Sequence, residues 1–185
     1  MDPRVKKTKH TIIHFRNLSI NLMFRNPFIP LLMFCILWVG SLDADTDTTV
    51  KVKKSEKILT VIKSGKTILT IPISLGFEPK GAKNEEGDGK TPEGKYSIDY
   101  QIPEWDYYKA LHISYPNKSQ IEEAKKRKVK VGGGILIHGM KRHWNWFGHL
   151  HTYFNWTHGC IAVTNEEMDR LFQMVPIGSV IIIEP

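Results

Sequence analysis

From Val50 to Ser74 the chain passes through three short segments rich in Val, Ile and Thr, at 50–53, 58–63 and 67–74, with Ser64-Gly65 placed between the last two as a tight hairpin turn. The next stretch, Gly76 to Gly94, carries Pro79, Gly81, Gly87, Gly89, Pro92 and Gly94, a punctuation too frequent for a helix or a long strand, so it reads as a structured loop. Strands are expected again at 95–100, 110–114 and 134–138, and a last one at 179–183 follows a turn at Gly178. Two helices are predicted from their capping boxes, one opened by Ser119 with Glu122 and one by Thr164 with Glu167. In the second, Met168, Leu171, Phe172 and Val175 fall at i, i+3, i+4 and i+7, and Pro176 ends the run. The expected fold is therefore mainly β with a few short helices.

A length of 185 residues accommodates one ordinary domain and excludes two large ones. The formal charge of +7 suggests nucleic-acid binding only until its position is considered. Residues 1–41 hold six of the Lys and Arg and a single acid, and the remainder of the chain is only +2. A basic fold built to grip phosphates is not supported, and no nucleic-acid partner is expected. The basic start leads into an apolar run, Phe28 to Val39, followed by Gly40 and Ser41. Its 12 residues are short for a membrane-spanning helix and right for the core of a secretory signal. Residues 1–41 are thus expected to be a signal peptide or an anchor, with Met23 as an alternative start, residues 42–48 a linker, and residues 49–185 the folded domain. Either form of leader puts that domain outside the cytoplasm, and touches a membrane only if it is left uncleaved.

Removal of the leader would take Cys35 with it and leave Cys160 without a disulfide partner. Such a thiol is either buried and inert or kept for its chemistry. Its surroundings favour chemistry. His138, His143, His149, His151 and His158 crowd the residues leading to Cys160, while no Asp or Glu occurs between Glu123 and Glu166. A histidine here would be oriented by a backbone carbonyl rather than by a nearby carboxylate. Gly159 offers a turn open to an approaching carbonyl, the amides of residues 158–160 could face a developing oxyanion, and imidazoles beside a thiol favour the nucleophilic thiolate.

The run Ile137-His138-Gly139, followed after 22 positions by Trp156-Thr157-His158-Gly159-Cys160-Ile161-Ala162-Val163-Thr164-Asn165, resembles the YkuD-type L,D-transpeptidase catalytic domain. Ser74-Leu75-Gly76, Gly87-Asp88-Gly89-Lys90-Thr91-Pro92-Glu93-Gly94 and His112-Ile113-Ser114-Tyr115-Pro116 extend the likeness over roughly residues 49–185. The resemblance implies a β-sandwich-like domain in an exported enzyme acting on peptidoglycan stem peptides. It implies that Cys160 is the nucleophile, that His138 is the base and is held by a carbonyl near Gly139, and that amides at Gly159 and Cys160 form an oxyanion hole. His158 either assists the thiol or shapes its turn. The thioester would pass to an amine, giving a cross-link or protein attachment, or to water. Ala162 stands where many members carry Arg or Asn, and the Gly-Cys-Ile-Ala-Val-Thr-Asn form is most like a subgroup containing an enzyme that detaches a lipoprotein from the wall. A hydrolytic relative, an L,D-carboxypeptidase or an amidase releasing a wall-linked lipoprotein, is therefore the alternative to transpeptidation.

Other residues admit two readings. Trp144, Trp146 and Trp156, with Phe147, Tyr153 and Phe154, form an aromatic insert that either covers substrate or packs onto the core. His112 lines the cleft or serves the fold, and the basic cluster Lys125 to Lys130 meets anionic wall polymers or water. Two further classes compete with the acyl-transfer enzyme: a metal site built on His149-x-His151 and His158-x-Cys160, and a non-catalytic wall-binding module. The favoured reading calls for no cofactor and no metal ion.

Overall fold

The computed structural model describes residues 47–185, so the leader, its alternative start at Met23 and residues 42–46 of the linker lie outside the described residues. The described part contains eight strands: β1 (Thr48–Lys53), β2 (Ile58–Lys63), β3 (Lys66–Pro72), β4 (Gly94–Trp105), β5 (Tyr108–Ile113), β6 (Leu136–His138), β7 (Ile161–Ala162) and β8 (Val180–Glu184). They form one sheet in the order β3-β2-β1-β8-β4-β5-β6-β7. The pairs β1–β8 and β6–β7 are parallel and the others antiparallel.

Period-2 alternation decides what each strand buries. In β1 Val50 and Val52 point inward while Lys51 and Lys53 point to water, and Leu59, Val61, Leu69 and Ile71 continue the same layer through β2 and β3. Between β2 and β3, Ser64 and Gly65 take φ of 50° and 71°, the left-handed pair that a two-residue hairpin turn requires. The long β4 pairs with β8 through Gly94–Ser97 and with β5 from Ile98 onward, and its register shifts after Ile98 and after Ile102. Such bulges bend a strand and increase its twist, and here they pass the sheet from one half of the domain to the other. Past the end of β3, Ser74 exchanges two backbone hydrogen bonds of 2.9 Å with Ala162 of β7, so the two edges of the sheet meet. The sandwich-like fold expected from the sequence is thus a single curled sheet around an apolar core.

Two helices pack against this sheet. α1 (Lys118–Arg127) is capped by Asn117, whose Oδ1 accepts from the Gln120 N–H at 3.0 Å while Gln120 Oε1 accepts from the Asn117 N–H at 2.9 Å. The box expected at Ser119 and Glu122 is therefore displaced by two residues. Asn117 is already extended after Pro116 and its amide reaches the first turn, which leaves Ser119 inside the helix. Lys125 to Lys128 are exposed at the C-terminal end of α1, where cations complement the helix dipole. α2 (Asn165–Met174) is capped by Thr164 and Glu167 as predicted, and buries Met168, Leu171 and the following Val175. Between β6 and β7, the aromatic insert forms a 3-10 segment, Arg142–Tyr153, broken at Gly148, where φ is 49°. No helix among the described residues is long and apolar enough to cross a membrane.

Candidate active site

Strand register sorts the residues of this half of the sheet. Leu111 of β5 lies opposite Ile137 of β6, which lies opposite Ile161 of β7, and all three enter the same core as α2. Their neighbours therefore face the other way: Ala110 is opposite His138, His138 is opposite Ala162, and His112 is opposite Leu136. Cys160, one residue before β7 and two before Ala162, continues onto this second face. The register thus brings the turn that carries Cys160 beside the strand that carries His138, although 22 positions separate the two in the chain.

His138 is only 3% exposed. Its Nδ1 lies 2.7 Å from the carbonyl oxygen of Gly139. A carbonyl can only accept, so Nδ1 carries the proton and Nε2 is left basic. Gly139 is itself crowded: a Cβ there would stand 2.5 Å from Oδ1 of Asn165. That Oδ1 accepts the Met140 N–H at 2.6 Å and pins the turn whose carbonyl orients the imidazole. The ring sits in an aromatic box, with centroids of Tyr107, Trp105 and Trp156 at 5.0, 5.6 and 5.8 Å. Burial drives the His138 pKa down to about 4, against the raising effect of the Gly139 carbonyl.

The turn carrying Cys160 is equally constrained. Gly159 has φ of 124°, and a Cβ would come within 2.6 Å of the Lys90 carbonyl oxygen, so only glycine fits. Thr157 Oγ1 donates to the Cys160 carbonyl at 2.6 Å and accepts the Gly159 N–H at 3.2 Å. Thr157 N–H donates to Leu75 O and Phe77 N–H to Thr157 O, which fastens the turn to the glycine-rich loop. Cys160 is half-buried, its Sγ 3.7 Å from the Gly134 carbonyl oxygen. Burial pushes its thiol up, while the Leu136 N–H and the Lys83 ammonium pull it down. The thiolate favoured by neighbouring imidazoles is thus not the resting state. Burial disfavours both charged forms, so thiol and imidazole rest neutral.

The remaining candidates are spread around this pair. His158 is exposed and packs edge-on against Phe77, with centroids 5.5 Å apart. His112 shares the His138 face, stacks on Tyr100 at 4.2 Å and has Nδ1 2.6 Å from Asp99 Oδ1. Trp156 bridges His138 and Trp144, while Trp146 is 75% exposed and stacks on Phe147. His149 Nε2 lies 2.8 Å from Glu167 Oε1, so an acid beyond the acid-free stretch reaches back to it. Among the described residues no group of three or more His, Cys, Asp or Glu converges as a metal site requires. Sequence reasoning gave no role to Asn165, Trp105 or Tyr107. The signal for Asn165 was its place directly after the Thr164 cap, beside a turn that the sequence alone does not bring near.

The YkuD family of L,D-transpeptidase catalytic domains matches residues 47–183. YafK of Escherichia coli (strain K12), a curated relative named among the L,D-transpeptidases, is 32% identical over 97 residues, covering 51% of this chain and 32% of that protein. The helical cell shape determining protein Pgp2 from Campylobacter jejuni is similar in structure, with TM-score 0.59 and 31% identity over 74% of this chain and 47% of that one. An L,D-transpeptidase from Mycobacterium smegmatis shares the fold at TM-score 0.52 and 18% identity, over 75% of this chain and 59% of that one. The chain therefore spans about a third of YafK and about half of Pgp2. With the family matched over most of its length, the chain belongs to the YkuD L,D-transpeptidase catalytic-domain family, an enzyme family of mainly β architecture.

Proposed function

We propose that this domain performs cysteine-dependent acyl transfer on peptidoglycan stem peptides through a thioester at Cys160. The observation that supports the reading is the β6–β7 register, in which His138 lies opposite Ala162, two residues after Cys160, with Nδ1 of His138 committed to Gly139 and Nε2 left as base. Because both groups rest neutral, proton transfer ahead of attack is uphill. The Sγ–H proton therefore passes to Nε2 as the S–C bond forms and the carbonyl electron pair moves onto oxygen. The Cys160 amide, and the Gly159 amide once released from Thr157 Oγ1, stabilise that oxyanion. Collapse breaks the C–N bond, and the leaving amine of the D-amino acid takes the proton from Nε2. An amine or water then resolves the thioester. His158 is read as shaping the turn, its ring lying edge-on against Phe77. The substrate implies export to the periplasm or cell envelope, and a wall-linked lipoprotein is a further partner if the acceptor or leaving group is a protein. A role in cell shape is proposed by similarity to Pgp2.

Purified sacculi and defined tetrapeptide muropeptides, incubated with the full chain and analysed by mass spectrometry, test this. Release of the terminal D-amino acid, or a new cross-link, is expected and is lost in both Cys160→Ala and His138→Ala. Near-normal turnover by either variant overturns the assignment. The products separate the acceptors: a shortened stem reports water, a joined pair an amine.

A further inference from the structure

The aromatic insert does more than pack. Met140, Trp144, Phe147, Leu150, Tyr153 and Phe154 wall a groove of about 660 Å³, the size of a small-ligand site. His151 and Trp156 complete its lining. His151 is 6% exposed, and among the described residues neither of its ring nitrogens has a hydrogen-bond partner; nor does the buried Nε1 of Trp156. Unpaired buried polar atoms are costly and seldom retained, and here three of them belong to the two residues that complete the lining of one groove, beneath its apolar surface. The His151 carbonyl is held by Ser74 Oγ at 2.8 Å, which fixes the residue while leaving its ring unpaired.

The unpaired atoms define a ligand. A neutral imidazole offers one N–H and one acceptor nitrogen, and the indole offers a second N–H. Among the described residues no Lys, Arg, Asp or Glu lines the groove, and an ionised ligand would lose its water without gaining a counter-charge. A purely apolar occupant would leave all three polar atoms as they are. An acetamido group satisfies them, its carbonyl accepting from N–H donors and its N–H donating to the imidazole, with its methyl against the apolar wall. The C–H faces of a sugar ring suit the surrounding aromatic planes. Trp156 also joins the groove to the catalytic face, its ring centroid 6.4 Å from that of His151 and 5.8 Å from that of His138.

We propose that this groove holds an N-acetylated aminosugar of the glycan strand, gripped through His151 and Trp156, while the attached stem peptide extends to Cys160. The glycan assignment rests on the peptidoglycan reading above; the binding of an acetamido sugar stands without it. The orphan atoms are closed to water in the free protein, so the ligand reaches them by parting exposed lining side chains, a rotamer change.

The test is a titration of the full chain carrying Cys160→Ala with chitotriose, followed by tryptophan fluorescence and calorimetry. Cellotriose, which has hydroxyls in place of the acetamido groups, and acetyl-Leu-Leu-amide serve as comparison ligands. Chitotriose is expected to bind at least tenfold more tightly than either. Its affinity should fall at least tenfold in His151→Phe and in Trp144→Ala, the latter altering a surface side chain and so keeping the fold. Equal affinity for the two sugars, a preference for the peptide, absence of chitotriose binding, or unchanged affinity in both variants each overturns the proposal. Since chitotriose has no stem peptide and is not turned over, a failure of the thioester chemistry leaves this result intact and shows only in the muropeptide assay.

Discussion

Replacing Asn165 by Ala removes the acceptor of the Met140 N–H, a 2.6 Å bond at a site 9% exposed. An orphaned buried amide costs about 1–3 kcal/mol, and the better helix propensity of Ala at the first position of α2 returns at most about 0.7 kcal/mol. A net loss of about 1–2 kcal/mol corresponds to a Tm lower by about 3–8 °C in a domain of this size. The catalytic effect should exceed the stability effect in specificity. The Gly139 carbonyl that holds His138 Nδ1 belongs to the turn pinned by Asn165, and a misplacement of about 1 Å in a catalytic group costs on the order of 100-fold. Calorimetry should show the Tm shift, and muropeptide kinetics a fall in kcat of about 10- to 100-fold with KM little changed. Nitrogen-15 NMR should show His138 losing its single Nδ1–H tautomer. Asn165→Asp keeps an oxygen for the Met140 N–H and should recover most of the stability. If Asn165→Ala lowers the Tm yet leaves the tautomer and kcat within about twofold of the parent, Asn165 supports the helix alone and the positioning argument is wrong.

Three other outcomes are expected. With His138 held at about 4, the acid limb of kcat/KM should lie near pH 4 rather than at the ordinary imidazole value of 6.5; a limb at 6.5 would falsify the buried-base reading. His138 and His151 are both pushed by burial to about 4, so the unfolded chain binds more protons than the folded one between pH 6.5 and 4. Stability present above 6.5 is therefore lost as pH falls through that window, and His151→Phe should flatten the loss in thermal melts; an unchanged slope contradicts the assignment. Gly159→Ala forces a side chain into left-handed backbone and against the Lys90 carbonyl, which should lower the Tm by several degrees and abolish turnover, whereas a variant melting with the parent would show that the turn is not constrained as described.

What the linear chain determined is what depends on neighbouring residues. The β-rich pattern, the Ser64-Gly65 hairpin turn and the Thr164–Glu167 cap are local, because alternation, turn chemistry and capping act over two to four positions. The expectation that His138 works with Cys160 came from the family likeness, since nothing in 22 intervening positions of sequence reports the parallel register that sets His138 opposite Ala162. Tertiary structure decided the rest. It chose Asn117 over Ser119 as cap, reached from α2 to the Met140 turn through Asn165, and surrounded His138 with Trp105 and Tyr107 from a different hairpin. It also set the charge state: proximity in sequence suggested a thiolate, but exclusion of water acts on whatever is buried, and burial favours the neutral pair.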